Sequence, residues 1–220
     1  MSDLRLLVFD VDGTLVDSQH AIIAAMAAAY GHVDAPAPGR AEILSIVGLS
    51  LPEAVRAMTP DLSGADCDRV VAAYRAEYLN MRARGDENAP LYDGIRDLLF
   101  RLNARPDILI GAATGKARRG LDHVIASHDL DGIFVTLQTS DFHPSKPHPA
   151  MLEAAIAEAG AKPDQTLMIG DTSFDMEMAK SAGCRAIAVA WGYHDQARLL
   201  RAGADCVVQT MDDLQDACLT

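Results

Sequence analysis

Short apolar runs and longer amphipathic stretches alternate over most of this chain. Leu6-Leu7-Val8-Phe9 opens the series. Further on, residues 108–113, 132–137, 166–170, 185–190 and 206–208 read as strands, because each is a brief run dominated by apolar residues. Residues 115–127, 149–160, 174–182, 195–202 and 211–218 lie between or after them and carry helical spacing. In 149–160, Met151, Leu152, Ala155 and Ile156 share one face and Gly160 supplies the stop. Strand-helix alternation of this kind predicts an α/β fold, a Rossmann-like parallel sheet with helices on both faces.

Residues 17–89 break the pattern. They hold no convincing strand, and helical spacing recurs at 18–30, 40–47, 52–58 and 65–84. Linker-like composition falls at 34–39, with Pro36 and Pro38, and at 85–90. A crossover between parallel strands needs only about 12 residues. Four helices in succession therefore predict an inserted α-helical cap domain, 17–89, on a core domain formed by 1–16 and 90–220.

Composition narrows the possibilities. The chain has 220 residues, 50% of them hydrophobic but only 5% aromatic, so its core is built from Ala, Leu, Ile, Val and Met. A net charge of -12 argues against nucleic acid as a partner, which calls for a basic face. It leaves small anionic ligands open, because charge within a cleft decides their binding. The four cysteines form no CxxC pair, which fits neither a zinc site nor a disulfide scaffold. They read as small buried hydrophobes in a reducing compartment. The first apolar run is interrupted by Arg5 and Asp10, unlike a secretory signal, and no apolar stretch is long enough for a bilayer. The expectation is a cytoplasmic protein without a membrane partner, monomer or homodimer.

Four polar motifs each follow an apolar run. Asp10-Val11-Asp12-Gly13-Thr14 places two carboxylates two residues apart at the end of the first strand. Strand period sends both to the same side. A metal-assisted nucleophile with a general acid/base needs such a pair, although Asp and Gly also make ordinary turns. Thr114-Gly115-Lys116 offers a hydroxyl and backbone N–H groups to phosphate oxygens at a helix start, or a simple N-cap. Lys146-Pro147-His148-Pro149 aims an ammonium from a stiffened backbone, or leaves it solvated in a turn. Gly170-Asp171-Thr172-Ser173-Phe174-Asp175 sets two carboxylates four apart. These serve a hard cation such as Mg²⁺ or the capping of a helix N-terminus.

In this order and at these strand ends, the four motifs resemble the haloacid dehalogenase superfamily. The resemblance spans essentially the whole chain. The helical insertion, residues 10–18, 46–50 and 90–94, and the stretch 183–208 with Trp191-Gly192-Tyr193 are similar to its phosphoglycolate phosphatase-like branch. The resemblance implies a Mg²⁺-dependent phosphatase acting on a small phosphorylated metabolite, with 2-phosphoglycolate the leading candidate and pyrophosphate, nucleoside monophosphates and sugar phosphates open. By the same resemblance Asp10 is the nucleophile that forms an aspartyl-phosphate. Asp12 is the general acid and base, protonated in the first step, a state that neighbouring carboxylates favour. Thr114, Gly115 and Lys146 hold the phosphoryl group. Mg²⁺ sits on the Asp10 carboxylate, the Asp12 backbone carbonyl and Asp171. Asp175 has two open parts, a water-mediated hold on the metal or orientation of Lys146. Gly48, Leu49 and Ser50 are candidates for a cap loop that sets specificity.

Other branches fit less well. Dehalogenation needs no acid at Asp12. Phosphonate hydrolysis uses a cap lysine, and the only lysines are at 116, 146, 162 and 180. The rival reading is a phosphohexomutase, which needs a second phosphate grip in the cap; His20, Arg40, Arg56 and Arg75 are the available groups. Arg118 and Arg119 read as a solvated helix face.

Overall fold

A computed structural model describes residues 4–33 and 35–220. Its centre is a six-stranded parallel sheet in the order β3-β2-β1-β4-β5-β6. The strands are β1 (Arg5–Phe9), β2 (Ile108–Thr114), β3 (Thr136–Thr139), β4 (Thr166–Gly170), β5 (Arg185–Val189) and β6 (Cys206–Val208). The helices are α1 (Gln19–Tyr30), α2 (Arg40–Ser45), α3 (Leu51–Met58), α4 (Gly64–Arg84), α5 (Ile95–Asn103), α6 (Arg118–Ser127), α7 (Ala150–Ala159), α8 (Ser173–Ser181), α9 (Gln196–Arg201) and α10 (Met211–Leu219).

The apolar runs are near-continuous because the sheet is covered on both faces. Side chains alternate along β1: Leu7 and Phe9 join Leu98, Leu99, Leu121 and Leu214 on one side. Leu6 and Val8 join Met151, Leu152, Met176 and Leu199 on the other. A third apolar cluster lies wholly outside the sheet. Ile22, Met26 and Tyr30 of α1 pack there with Ile43 of α2, Val55 of α3 and Val70 of α4. Helix α4 opens on the Ser63 hydroxyl, which accepts from the Asp66 N–H, and closes on Gly85 at φ 74°.

The pattern placed one strand too early. Residues 131–133 form a turn instead, with Gly132 at φ 77°. Ile133 turns down into the core, and pairing with β2 starts only where Thr136 meets Gly111. The apolar residues at 133–134 belong to packing beneath the turn and not to a strand face. Helix α6 also starts later than its spacing implied, at Arg118, because 115–117 form a loop in which the Lys116 N–H donates to Thr114 Oγ1 (3.1 Å).

β1 lies between β2 and β4. The chain leaves β1 towards one half of the sheet and returns to build the other, so a crevice opens beyond its carboxyl end. All four polar motifs reach that end.

Candidate active site

Asp10 follows β1 directly, its N–H donating to the Ile169 carbonyl at 2.8 Å. The carboxylate is 1% exposed. Lys146 Nζ donates to Asp10 Oδ1 at 2.7 Å and to Asp175 Oδ1 at 2.6 Å. This ammonium is itself 1% exposed, and it enters from the loop before α7, where the Lys146–Pro147 peptide is cis. Asp175 Oδ2 accepts from the Thr172 N–H and hydroxyl at 3.1 and 2.6 Å. Both oxygens of Asp175 are thus used inside the protein, one of them to hold Lys146.

Asp171 ends β4 and is fully buried. It accepts from the Thr14 hydroxyl (3.0 Å) and the Tyr193 N–H (2.8 Å). Two glycines make room for it. A Cβ on Gly13, whose φ is 86°, would fall 2.2 Å from Asp171 Oδ2, and one on Gly192 would fall 2.1 Å from Asp171 Cβ. The Gly after Asp12 therefore serves a close approach as well as a turn.

Asp12 points differently. Its Oδ1 accepts from the Ser18 hydroxyl at 2.5 Å and lies 3.1 Å from Lys116 Nζ. The expected carboxylate neighbours are replaced at hydrogen-bond range by a hydroxyl and a cation. Lys116 is enclosed further by Tyr78 of α4, whose ring centroid is 5.2 Å from Nζ. Lys116 closes the Thr114 motif and Ser18 the 10–18 segment, but the pattern gave neither side chain a role. Ser18 reads as the N-cap of α1, yet it makes no cap bond and spends its hydroxyl on Asp12 and Tyr193. A serine that precedes a helix and follows an acidic pair by a few residues was the available signal.

Burial and charge explain the electrostatics. Burial, reinforced by Asp175 and Asp12, raises Asp10 to about 7 against the opposing pull of Lys146. Burial, Asp10 and Asp175 hold Asp171 well above the usual carboxylate range. Burial works against a charged Lys146, but Asp10 and Asp175 outweigh it and hold the ammonium protonated. Three acids facing one another outnumber the one ammonium among them, and Asp10 and Asp171 hold on to protons that a cation would displace.

That imbalance, and two further observations, test the site for a hard cation. Asp10, Asp171 and Asp175 each bring a carboxylate oxygen within 4.8 Å of the others. Asp10 Oδ2 is buried and has no hydrogen-bond partner. Oxygen donors in a tight acidic cluster, one of them orphaned, fit Mg²⁺.

The insertion closes over this crevice. A Cβ on Gly115 would fall 2.5 Å from the Leu49 carbonyl and 2.6 Å from that of Gly48. Ser50 N–H donates to Ser145 Oγ at 2.8 Å. Between the helices and the sheet lies a chamber of about 290 Å³, lined by Asp10, Asp12, Thr114 and Gly115 at its base and by Gly48 and Leu49 from the cap loop. Ser50 is absent from the lining. Among the arginines weighed for a second phosphate, Arg75 lines the chamber. Arg40 donates to Gln19, Arg56 pairs with Glu53 at 2.9 Å, and His20 is exposed.

Residues 7–189 match the family model described as haloacid dehalogenase-like hydrolase. This chain belongs to that family. The probable phosphatase IndB of Dickeya dadantii is 32% identical over 216 residues, covering 96% of this chain and 92% of the relative. The tyrosine-protein kinase PtkA of Mycobacterium tuberculosis is 30% identical, over 97% of this chain and 72% of its own. A solved haloacid dehalogenase-like hydrolase from Streptococcus pneumoniae superposes with a TM-score of 0.83 at 27% identity, covering 100% of this chain and 99% of its own. Among the described residues of this family member, no helix is long and apolar enough to cross a membrane.

Proposed function

We propose that this hydrolase is a Mg²⁺-dependent phosphatase that cleaves small phosphomonoesters through an aspartyl-phosphate. The observation that carries this reading is Asp10, whose Oδ1 is held by Lys146 while Oδ2 is left without a partner at the base of the chamber. Asp10 attacks phosphorus, and the bond to the leaving alcohol breaks. Asp12 gives that alcohol its proton and then takes one from the water that hydrolyses the acyl phosphate, restoring Asp10. Lys116 and Ser18 both engage Asp12 Oδ1, which leaves Oδ2 for the substrate.

The Thr114 hydroxyl and Gly115 N–H hold phosphoryl oxygens, and Lys146 neutralises charge shared between nucleophile and phosphoryl group. Asp175 acts by positioning Lys146. Asp10, Asp171 and the Asp12 backbone carbonyl would hold Mg²⁺. When bound, the ion neutralises phosphoryl oxygens as a Lewis acid. The helical cap excludes water during transfer. A mutase would have to grip a second phosphate; Arg40 and Arg56 are engaged elsewhere and His20 is exposed, which leaves Arg75 alone of the four on the chamber wall.

The test is phosphate release from p-nitrophenyl phosphate, 2-phosphoglycolate, pyrophosphate, nucleotides and hexose phosphates, with Mg²⁺ or EDTA. Mg²⁺-dependent release, reduced at least about 1,000-fold in Asp10→Asn, is expected. Release that survives in Asp10→Asn would exclude the covalent route, and hexose phosphate isomerisation without release would replace it with the mutase.

A further inference from the structure

The chamber beside Asp10 has a chemical character of its own. All four cap helices or their loops contribute to it: Ile22 and Met26 from α1, Val47 before α3, Leu51 from α3, Tyr74 and Leu79 from α4. Its wall is predominantly apolar. A leaving alcohol whose phosphate sits on Asp10, Thr114 and Gly115 extends into this wall.

The cations around the chamber are spent or solvated. Lys116 is paired with Asp12 at 3.1 Å, and Arg82 with Glu87 at 2.7 Å. Arg75 and Arg119 also line it, but they are exposed and make no ion pair among the described residues, so solvent and salt screen their charge. A second carboxylate or phosphate carried into the wall would lose its hydration with no unpaired buried cation to meet it. A hydrocarbon body loses nothing and gains burial.

We infer that the substrates of this enzyme are phosphomonoesters of alcohols with an apolar body of about benzyl size, in preference to those carrying a second anionic group. The inference rests on the phosphatase reading and deepens it. A chamber of about 290 Å³ is at the small end of ligand pockets, roughly 300–1,000 Å³, and it accommodates a body of one ring beside the phosphate. The apolar side chains recognise the body, and the Asp10 end recognises the phosphate.

Four substrates test it: benzyl phosphate, ethyl phosphate, 2-phosphoglycolate and pyrophosphate, each with Mg²⁺. Benzyl alcohol and ethanol are of similar acidity, so the first pair compares binding of the body and not leaving-group quality. The expected kcat/KM for benzyl phosphate exceeds that for each of the other three by about tenfold or more, chiefly through KM. Ala54→Leu, which fills the chamber from α3, is expected to cut the benzyl-to-ethyl ratio about tenfold. Leu51→Ser, at a half-buried position less demanding for folding, is expected to cut it several-fold in the same direction. A higher kcat/KM for 2-phosphoglycolate or pyrophosphate, or equal values for benzyl and ethyl phosphate, overturns the substrate class and leaves the phosphatase standing. Release from none of the four overturns the substrate class, and only silence across the wider panel above overturns the phosphatase with it.

Discussion

At the scale of single residues, the site is a balance of buried charges. Lys146 meets Asp10 and Asp175 within 2.7 Å, and Asp171 completes the acidic side. Burial has pushed Asp10 up to about 7, and this has a signed consequence for stability. Between the ordinary carboxylate range and about 7, folded Asp10 keeps a proton that the unfolded chain has released. The folded state binds more protons there, so the Asp10 contribution to stability falls as pH rises through that window. A cation on the same oxygens favours the ionised form and offsets the loss. Mg²⁺ is therefore expected to raise the melting temperature more at about pH 8 than at about pH 5. The difference should shrink in Asp10→Asn, where Asp171, itself held above the usual carboxylate range, still contributes. Calorimetric scans with Mg²⁺ and with EDTA check it, and equal shifts at both pH values would remove Asp10 from cation binding.

At the scale of elements, His194 fastens the helical insertion to the sheet. Its Nδ1 accepts from the Ser173 N–H at the start of α8 (2.9 Å), and its Nε2 donates to the Ser45 carbonyl at the end of α2 (3.0 Å). The ring also stacks edge-on against Phe174. Both hydrogen bonds together require the neutral ring with its proton on Nε2. Burial, with Arg198 adding repulsion, pushes the group down to about 4 from 6.5. Because the unfolded chain takes up this proton first, the His194 contribution is complete above about 6.5 and is lost as pH falls towards about 4. His194→Phe keeps the aromatic contact but leaves the Ser173 N–H unpaired and the Ser45 carbonyl with only the Arg198 guanidinium at 3.4 Å, at a cost of roughly 1–3 kcal/mol. In a chain of this size that lowers the melting temperature by about 5 °C at neutral pH. The variant should also lose less stability than the parent between about pH 6.5 and 4, which thermal melts across that range would show.

Elements also differ in how far the pattern reached. Strands β1, β2, β4, β5 and β6 were legible because each is a short apolar run that the sheet buries on both faces. β3 was displaced because Ile133 and Phe134 are apolar for another reason: they pack beneath the turn that Gly132 permits. Apolar character reports burial, and only pairing with Gly111 and its neighbours shows where the strand begins.

At the scale of the whole molecule, function depends on how tightly the insertion meets the sheet. Gly115 is the narrowest point, with its missing Cβ facing the Leu49 and Gly48 carbonyls at 2.5 and 2.6 Å. Gly115→Ala adds one methyl group there and must lift the cap loop off the site. Kinetics and a melt on the same sample are expected to show kcat/KM down about 100-fold on all phosphomonoesters, with the melting temperature within a few degrees of the parent. Unchanged kinetics would mean that the close approach of loop and site is not needed for turnover.

The amino-acid sequence alone determined the sheet-forming runs, the helical insertion and the polar residues that follow Phe9, Ala113, Ser145 and Gly170, because each of these is written in consecutive residues. Their convergence at one crevice followed once parallel strands were inferred, since such strands bring their carboxyl ends to the same edge. Tertiary structure decided the rest. Lys116 reached Asp12 from the far side of the insertion, Ser18 left its helix cap for the same carboxylate, and Asp175 turned inward to hold Lys146. The chamber, too, exists only in the fold. Ile22, Met26 and Leu79 are ordinary apolar helix positions, and they become one wall of the chamber because α1 and α4 are held across the mouth of the sheet. Such contacts join residues distant in the chain, and no local spacing encodes the direction in which a side chain meets a partner on another element.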